Sequence, residues 1–237
     1  MIREWKKAFD KHKKAPPEWR YLEEAYGKYE PGTPGAPNET PSAEMLYRRA
    51  QTGKEDTAGG SDGWAPSKLK ALPFEAWTSR AEILKLAGEL GRFPEAYKTV
   101  NMAAIGKADN SHEPLDRRLI SLFSCLYRIE GGAWFEMLTP WMKKALHPDV
   151  VGAMSGKEAL DIAWNAQAFL EEAMAKGWAM VLSSYDFSKY FDSFEHDLTR
   201  RFLIHSGAPP VLANLVNDLY KFYEEGNGER QFAESSV

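Results

Sequence analysis

A run of five apolar residues, WAMVL at 178–182, limits most strongly what this chain can fold into. Gly177 precedes the run, and SSYDFSKYFDS at 183–193 follows it with two aspartates. Because apolar and polar residues do not alternate, we expect a central β-strand with both faces covered. Asp186 would then lie at the carboxyl end of this strand, where ligands of sheet proteins commonly bind.

Helices dominate the rest of the pattern. The start of one helix is predicted by a capping box of Ser155 and Glu158, and its end by Gly177. Further helices are predicted wherever apolar residues recur at helical spacing: after the N-cap Thr40, from Phe74 to Gly91, late in 116–129 with interruptions near 131–132 and Pro140, from Phe194 to Gly207, and from Leu212 to Gly226.

Extended segments are fewer, at 99–107 and in the first part of 116–129. Many helices with a few strands indicate an α+β fold. Three regions are predicted: an N-terminal helical extension at 1–30, broken by the prolines of 15–17, a Pro/Gly linker at 31–41, and one domain at 42–237.

Composition narrows the class of protein. The net charge of −4 argues against a basic surface overall, although a local basic groove can form on an acidic body. Cys125, as the single cysteine, excludes an internal disulfide and fits a reducing compartment. The apolar runs fall short of the ~20 residues that cross a bilayer. With no secretory signal visible, we expect an intracellular protein of the nucleus or cytoplasm without membrane or disulfide partners.

Two interpretations of Asp186 follow from its position alone. An aspartate after a strand commonly caps a helix or a turn. It can also bind a hard cation such as Mg²⁺, which prefers carboxylate and carbonyl oxygens on a rigid support. Asp186 and the carbonyl of Phe187 would supply both kinds of oxygen, and both interpretations stay open at this point.

Five segments in order resemble motifs of reverse transcriptases of the non-LTR retrotransposon and group II intron type. LSSYDFSKYFDSFEHD, around Asp186, is similar to the first catalytic motif of that family. The other four are AGGSDGWAPSKLKALP (58–73), AAIGK (103–107), RRLISLF (117–123) with LYRI (126–129), and HSGAPPVLANLVNDLY (205–220). The resemblance implies helix-rich fingers and a partial palm with an incomplete antiparallel sheet, and the activity of an RNA-directed DNA polymerase.

The resemblance also implies roles for single residues. Asp186 would be catalytic and would bind the metal, Mg²⁺ or Mn²⁺, together with the Phe187 carbonyl. Lys107 and Arg118 would grip the triphosphate of the incoming deoxynucleotide, and Phe191 would exclude a 2′-hydroxyl. Partners would be deoxynucleotide triphosphates and an RNA or DNA template-primer, whose backbone would lie along three further cations, Lys68, Lys70 and Arg117.

The chain also departs from the family. Gly106 and Leu119 stand where the family has proline, and the 237 residues contain neither an Asp-Asp pair nor a Q-G-x-P motif. Because a two-metal site needs a second acidic motif, we expect no polymerisation by this fragment alone, and metal binding only when the missing motifs are supplied. Two alternatives are a non-catalytic nucleic-acid-binding remnant and a helical interaction protein whose likeness to the family is accidental.

Overall fold

The computed structural model describes residues 18–26, 35–106, 113, 116–147, 149–152, 154–187, 194–224 and 230–233. Helices in these ranges are α1 (Trp19–Tyr26), α2 (Ala43–Thr52), α3 (Pro66–Lys70), α4 (Phe74–Leu90), α5 (Cys125–Ala145), α6 (Ala159–Lys176), α7 (His196–His205) and α8 (Pro210–Glu224), with a 3-10 turn at Glu95–Tyr97. Strands are β1 (Val100–Gly106), β2 (Arg117–Leu122) and β3 (Arg230–Ala233). The protein is therefore a helix-rich α+β protein, as predicted.

The strands form one small mixed sheet in the order β2-β1-β3. β1 and β2 pair in antiparallel fashion, and β3 lies parallel to β1 on its other side. Val100 and Met102 of β1 are buried, which anchors the strand to the helices. The extended segments predicted at 99–107 and early in 116–129 are confirmed as β1 and β2.

The core lies where α2, α4, α5 and α8 meet. α2 packs against α3, α4 and α5, while α8 packs against α4 and α7. Cys125 is free and buried in this core. Among the described helices, none has both the length and the apolar character needed to cross a bilayer. The large buried side chains of the core are Leu46, Leu69, Trp77, Leu84, Phe93, Tyr97, Leu215 and Leu219.

Part of the predicted linker is fixed to the body of the protein. Residues 35–42 are irregular, as expected from their proline content. The amide of Ala36 donates to the carbonyl of Gly207 at 2.8 Å, and the amide of Val211 donates to Oδ1 of Asn38 at 3.0 Å. These residues therefore brace the turn between α7 and α8. Of the two helices predicted at 1–30, α1 is observed, and the other lies outside the described residues.

Glycines end two long helices at the predicted positions. Gly91 after α4 and Gly177 after α6 have φ values of 65° and 67°, a left-handed conformation that favours glycine. The predicted helix starts are wrong by a few residues. Ser42 caps α2 in place of Thr40, and Glu158 caps α6 through a capping box with Asp161.

α5 runs without a break from Cys125 to Ala145, so the interruption predicted at 131–132 and Pro140 is wrong. Gly132 serves for close packing, because a Cβ there would clash with the guanidinium of Arg49 on α2. Pro140 removes one helical hydrogen bond, and the buried side chains of Trp134 and Leu138 hold the turn before it in place.

The predicted central strand at 178–182 is also wrong. Residues 178–187 form no helix or strand, and their side chains are exposed. A strand needs backbone partners in a ladder, and the described strands are instead assembled around β1. The apolar run thus reports side chains that need cover, which the described part of the chain does not supply.

Candidate functional site

The β1–β2 hairpin brings together parts of two segments that resemble family motifs. In its register Ile105 is opposite Arg118, and Gly106 is opposite Arg117. Lys107 follows β1 directly in the sequence but lies outside the described residues. The hairpin therefore holds Arg118 across from the residue two positions before Lys107. This pairing is what the predicted joint role of Lys107 and Arg118 requires of the backbone.

The two arginines lie on opposite faces of the hairpin, because successive strand residues alternate. Arg118 is exposed and shares its face with two exposed apolar side chains, Ile105 and Ile120. Arg117 is half-buried, and its Nε is enclosed without a hydrogen-bond partner among the described residues. The outer face thus combines a cation with apolar surface, a combination that suits a phosphate next to a base or sugar.

The segment at 58–64 packs against this hairpin and the start of α5. Nη2 of Arg128 donates to the carbonyl of Ala58, and Sγ of Cys125 donates to the carbonyl of Trp64 at 3.1 Å. Oγ of Ser61 donates to the carbonyl of Thr99, just before β1, at 2.6 Å. Three segments separated in sequence, around 58–64, 100–106 and 117–129, therefore form one structural unit.

The other predicted cations of this region differ in their surroundings. Lys68 on α3 is exposed. Lys70 is only partly exposed, and its Nζ lies 3.1 Å from a carboxylate oxygen of Glu55. Because Glu55 already neutralises Lys70, Lys68 and Arg118 are the exposed cations among those predicted to contact nucleic acid that the structure describes.

Asp186 is exposed and lies in an irregular segment, not at the end of a buried strand as predicted. Phe187 is exposed as well, and Phe191 lies outside the described residues. The described residues contain no group of three or more His, Cys, Asp or Glu side chains that could hold a metal. One carboxylate and one carbonyl do not make the donor set of a two-metal site, so we derive no chemical step from them.

A buried ion pair behind the hairpin was missed by sequence reasoning. Nε of Arg80 on α4 donates to Oε1 of Glu130 on α5 at 2.5 Å, and Nη2 of Arg80 donates to the hydroxyl of Tyr97. The side chains of Arg80 and Glu130 are only 15% and 2% exposed. Burial raises the pKa of Glu130. Burial also acts to lower the pKa of Arg80, but the charge of Glu130 outweighs it and raises that pKa.

A signal for Glu130 was present in the sequence. It lies three and four residues before Ala133 and Trp134, on the face of α5 that those two buried residues define. A carboxylate on a buried helix face needs a cationic partner. The pattern does not say which cation that is, because Arg80 lies 50 residues away along the chain.

Aromatic rings extend the core from this ion pair towards β2. The ring of Tyr127 lies 5.6 Å from Tyr97, 5.5 Å from Phe93 and 4.7 Å from Phe123. The first two contacts are edge-to-face and the third is stacked, which are the favoured geometries of aromatic pairs. The rings fix the end of β2 and the first turn of α5 against the loop before β1.

This cluster predicts a loss of stability at alkaline pH. Burial raises the pKa of Tyr127 to about 12, whereas a tyrosine of the unfolded chain ionises near pH 10. Between these values the unfolded state binds fewer protons, so stability falls as pH rises. We expect the urea midpoint to fall more between about pH 9 and about pH 11 in the natural protein than in Tyr127→Phe. Equal falls in both proteins would contradict this assignment.

Comparison with known proteins adds no relative. No protein-family model matches this chain, and no curated protein matches it. The class of protein is therefore defined by its own features: a helix-rich α+β protein with a short arginine-bearing hairpin braced by a glycine-rich segment.

Proposed function

We propose that the chain forms the fingers and the first part of the palm of an RNA-directed DNA polymerase, whose reaction is template-directed nucleotidyl transfer. The observation that carries the proposal is the unit formed by 58–64, the β1–β2 hairpin and the start of α5. These segments resemble consecutive finger motifs of reverse transcriptases. Their hydrogen bonds to one another support a common role, since a chance likeness would not require them to meet.

In this proposal the hairpin handles the phosphates. Arg118 offers a planar guanidinium with donors in a fork that fits two phosphate oxygens, and Lys107 adds a point charge. Lys68 and Arg117 contact the template backbone, and Phe191 packs against the deoxyribose. The exposed Ile105 and Ile120 beside Arg118 provide apolar surface for a base or sugar.

The metal chemistry belongs to a more complete assembly. Asp186 is the proposed carboxylate ligand of Mg²⁺ or Mn²⁺, and the metal ions would stabilise charge on the attacking 3′-oxygen and on the leaving pyrophosphate. A second acidic hairpin, paired with 178–187, would place Asp186 in a strand and complete the donor set. The 237 residues contain no Asp-Asp pair, so we expect no primer extension by this polypeptide alone.

A second candidate function, nucleic-acid binding without catalysis, is favoured by the single exposed carboxylate at Asp186. It uses the same cations and makes the same prediction for affinity. It differs in substrate preference, because a polymerase distinguishes a recessed 3′ end and an incoming deoxynucleotide triphosphate from a plain single strand. The helical interaction protein, as third alternative, predicts no binding of nucleic acid at low salt.

Fluorescence anisotropy with an RNA template annealed to a DNA primer tests these alternatives. We expect affinity to fall steeply with salt, and the log–log slope to become shallower by about 1 for each phosphate that Arg117→Ala or Arg118→Ala leaves without its cation. Lys85→Ala with Arg92→Ala, two exposed cations elsewhere, is the matched control and should leave the slope unchanged. Thermal melts verify that each variant is folded.

The form of nucleic acid decides between the first two functions. Preference for the recessed 3′ end, strengthened by a matching deoxynucleotide triphosphate, supports the polymerase. Equal affinity for any single strand supports the non-catalytic binder, and a flat salt response rejects both. Primer extension by the purified chain, abolished in Asp186→Ala, would show that our inference of an incomplete site is wrong.

A further inference from the structure

α6 exposes a row of large apolar side chains. Leu160, Trp164, Leu170 and Met174, here called the α6 stripe, are all exposed, although they recur at spacings of four, six and four residues along one side of the helix. In the described part of α6, Ala173 is the buried residue. A surface helix of a globular protein normally turns such a stripe towards a core, so this one requires a partner.

We propose that a second copy of this chain covers the α6 stripe, with the two α6 helices antiparallel about a two-fold axis. The stripe is symmetric about Gln167, which is a condition for an isologous interface. Leu160 of one copy then meets Met174 of the other, and Trp164 meets Leu170. Each contact occurs twice, and every large side chain of the stripe has an apolar partner.

Polar residues of α6 fit the same arrangement. Gln167 lies at the axis, where two amides can pair and fix the register, as a single polar residue does in a coiled-coil seam. Glu171, at the edge of the stripe, is opposite the small Ala163, so two carboxylates do not meet. Asp161 and Lys176 lie outside the stripe. The antiparallel direction also opposes the two helix dipoles favourably.

The exposed area is sufficient for a stable dimer. Trp164, Phe169, Trp178 and Tyr185 are 62–82% exposed. At 150–250 Å² for each ring residue, these four leave roughly 550 Å² in contact with water. The exposed aliphatic side chains of 160–182 bring the total past the roughly 800 Å² per partner of a standard interface. This apolar surface exceeds the 300–600 Å² of the largest patch on a typical monomer.

Sedimentation of the natural chain over a range of concentrations tests the proposal. The chain has a mass of 26.8 kDa, and we expect a concentration-dependent dimer of twice that mass. Trp164→Glu should raise the dimer dissociation constant about 100-fold or more, because each dimer is deprived of two central aromatic side chains. Leu86→Glu, at a half-exposed apolar position on α4, is the control and should leave it unchanged. Circular dichroism verifies that both variants are folded.

Cross-linking tests the geometry without disturbing the fold. Gln167→Cys, with Cys125 buried, should form a disulfide between two copies on mild oxidation, since position 167 faces itself across the axis. Leu160→Cys should fail to cross-link with itself and should cross-link with Met174→Cys in a mixture. A monomer at all concentrations, larger aggregates, equal effects of the two glutamate variants, or no Gln167→Cys cross-link would each overturn the proposal. It does not depend on the polymerase function.

Discussion

Glu130→Ala is expected to lower the free energy of unfolding by about 3–5 kcal/mol, the usual cost of removing one partner from a buried ion pair. The reason is the fate of Arg80, whose guanidinium remains almost buried after its carboxylate partner is removed. Tyr97 would keep its hydrogen bond to Arg80 but cannot neutralise it. Urea unfolding followed by circular dichroism measures the loss.

A matched control lies on the same helix. Glu136 pairs with Arg48, but these two side chains are 45% and 60% exposed. Glu136→Ala should therefore cost only about 0–1 kcal/mol. Replacing both buried partners, as Arg80→Met with Glu130→Met, should recover part of the loss because no unpaired charge remains. Similar losses for Glu130→Ala and Glu136→Ala would show that the buried pair does not hold α4 and α5 together.

Local signals predicted the regular elements that depend on nearby residues. Gly91 and Gly177 end helices because the left-handed conformation they adopt is costly for other residues. The β1 and β2 segments were also found, and they pair as a hairpin. Helix starts were less accurate, since Ser and Thr residues at 40, 42 and 155 offer several possible caps and only the packed structure selects one.

Predictions that depended on distant partners failed or stayed open. The apolar run at 178–182 has strand composition, but composition does not supply the neighbouring strand that a ladder needs. Gly132 was interpreted as a helix breaker, whereas the approach of Arg49 from α2 requires its missing side chain. Of the candidate site, sequence placed Arg118 on the hairpin, but the pairing of Glu130 with Arg80 depends on how α4 and α5 pack.

The glycine-rich segment at 58–64 connects fold and proposed function. It is irregular, yet its hydrogen bonds reach the start of α5 and the residue before β1. Ser124, the N-cap of α5, lies between this segment and β2. The position of the arginine-bearing hairpin relative to α5 therefore depends on how closely the segment approaches Ser124.

Gly60 makes that approach possible. A Cβ at this position would lie 2.5 Å from Cα and 2.6 Å from the nitrogen of Ser124, and 2.7 Å from the carbonyl oxygen of Phe123. All three are backbone atoms, so no side-chain rotation can relieve the clash. Gly60→Ala is therefore expected to cost about 1–3 kcal/mol, the range for overpacking in a well-packed region, and urea unfolding measures it.

Gly131→Ala is the control, because no described atom lies within 4 Å of the added methyl group. In the interior of α5 this change should raise stability by about 0.5–1 kcal/mol, since alanine loses less backbone freedom on folding. Under the proposed function Gly60→Ala should also weaken binding to a template-primer at temperatures where the variant is fully folded, since displacing 58–64 moves the hairpin. Unchanged stability and affinity in Gly60→Ala would show that the close contact with Ser124 neither holds the segment nor positions Arg118.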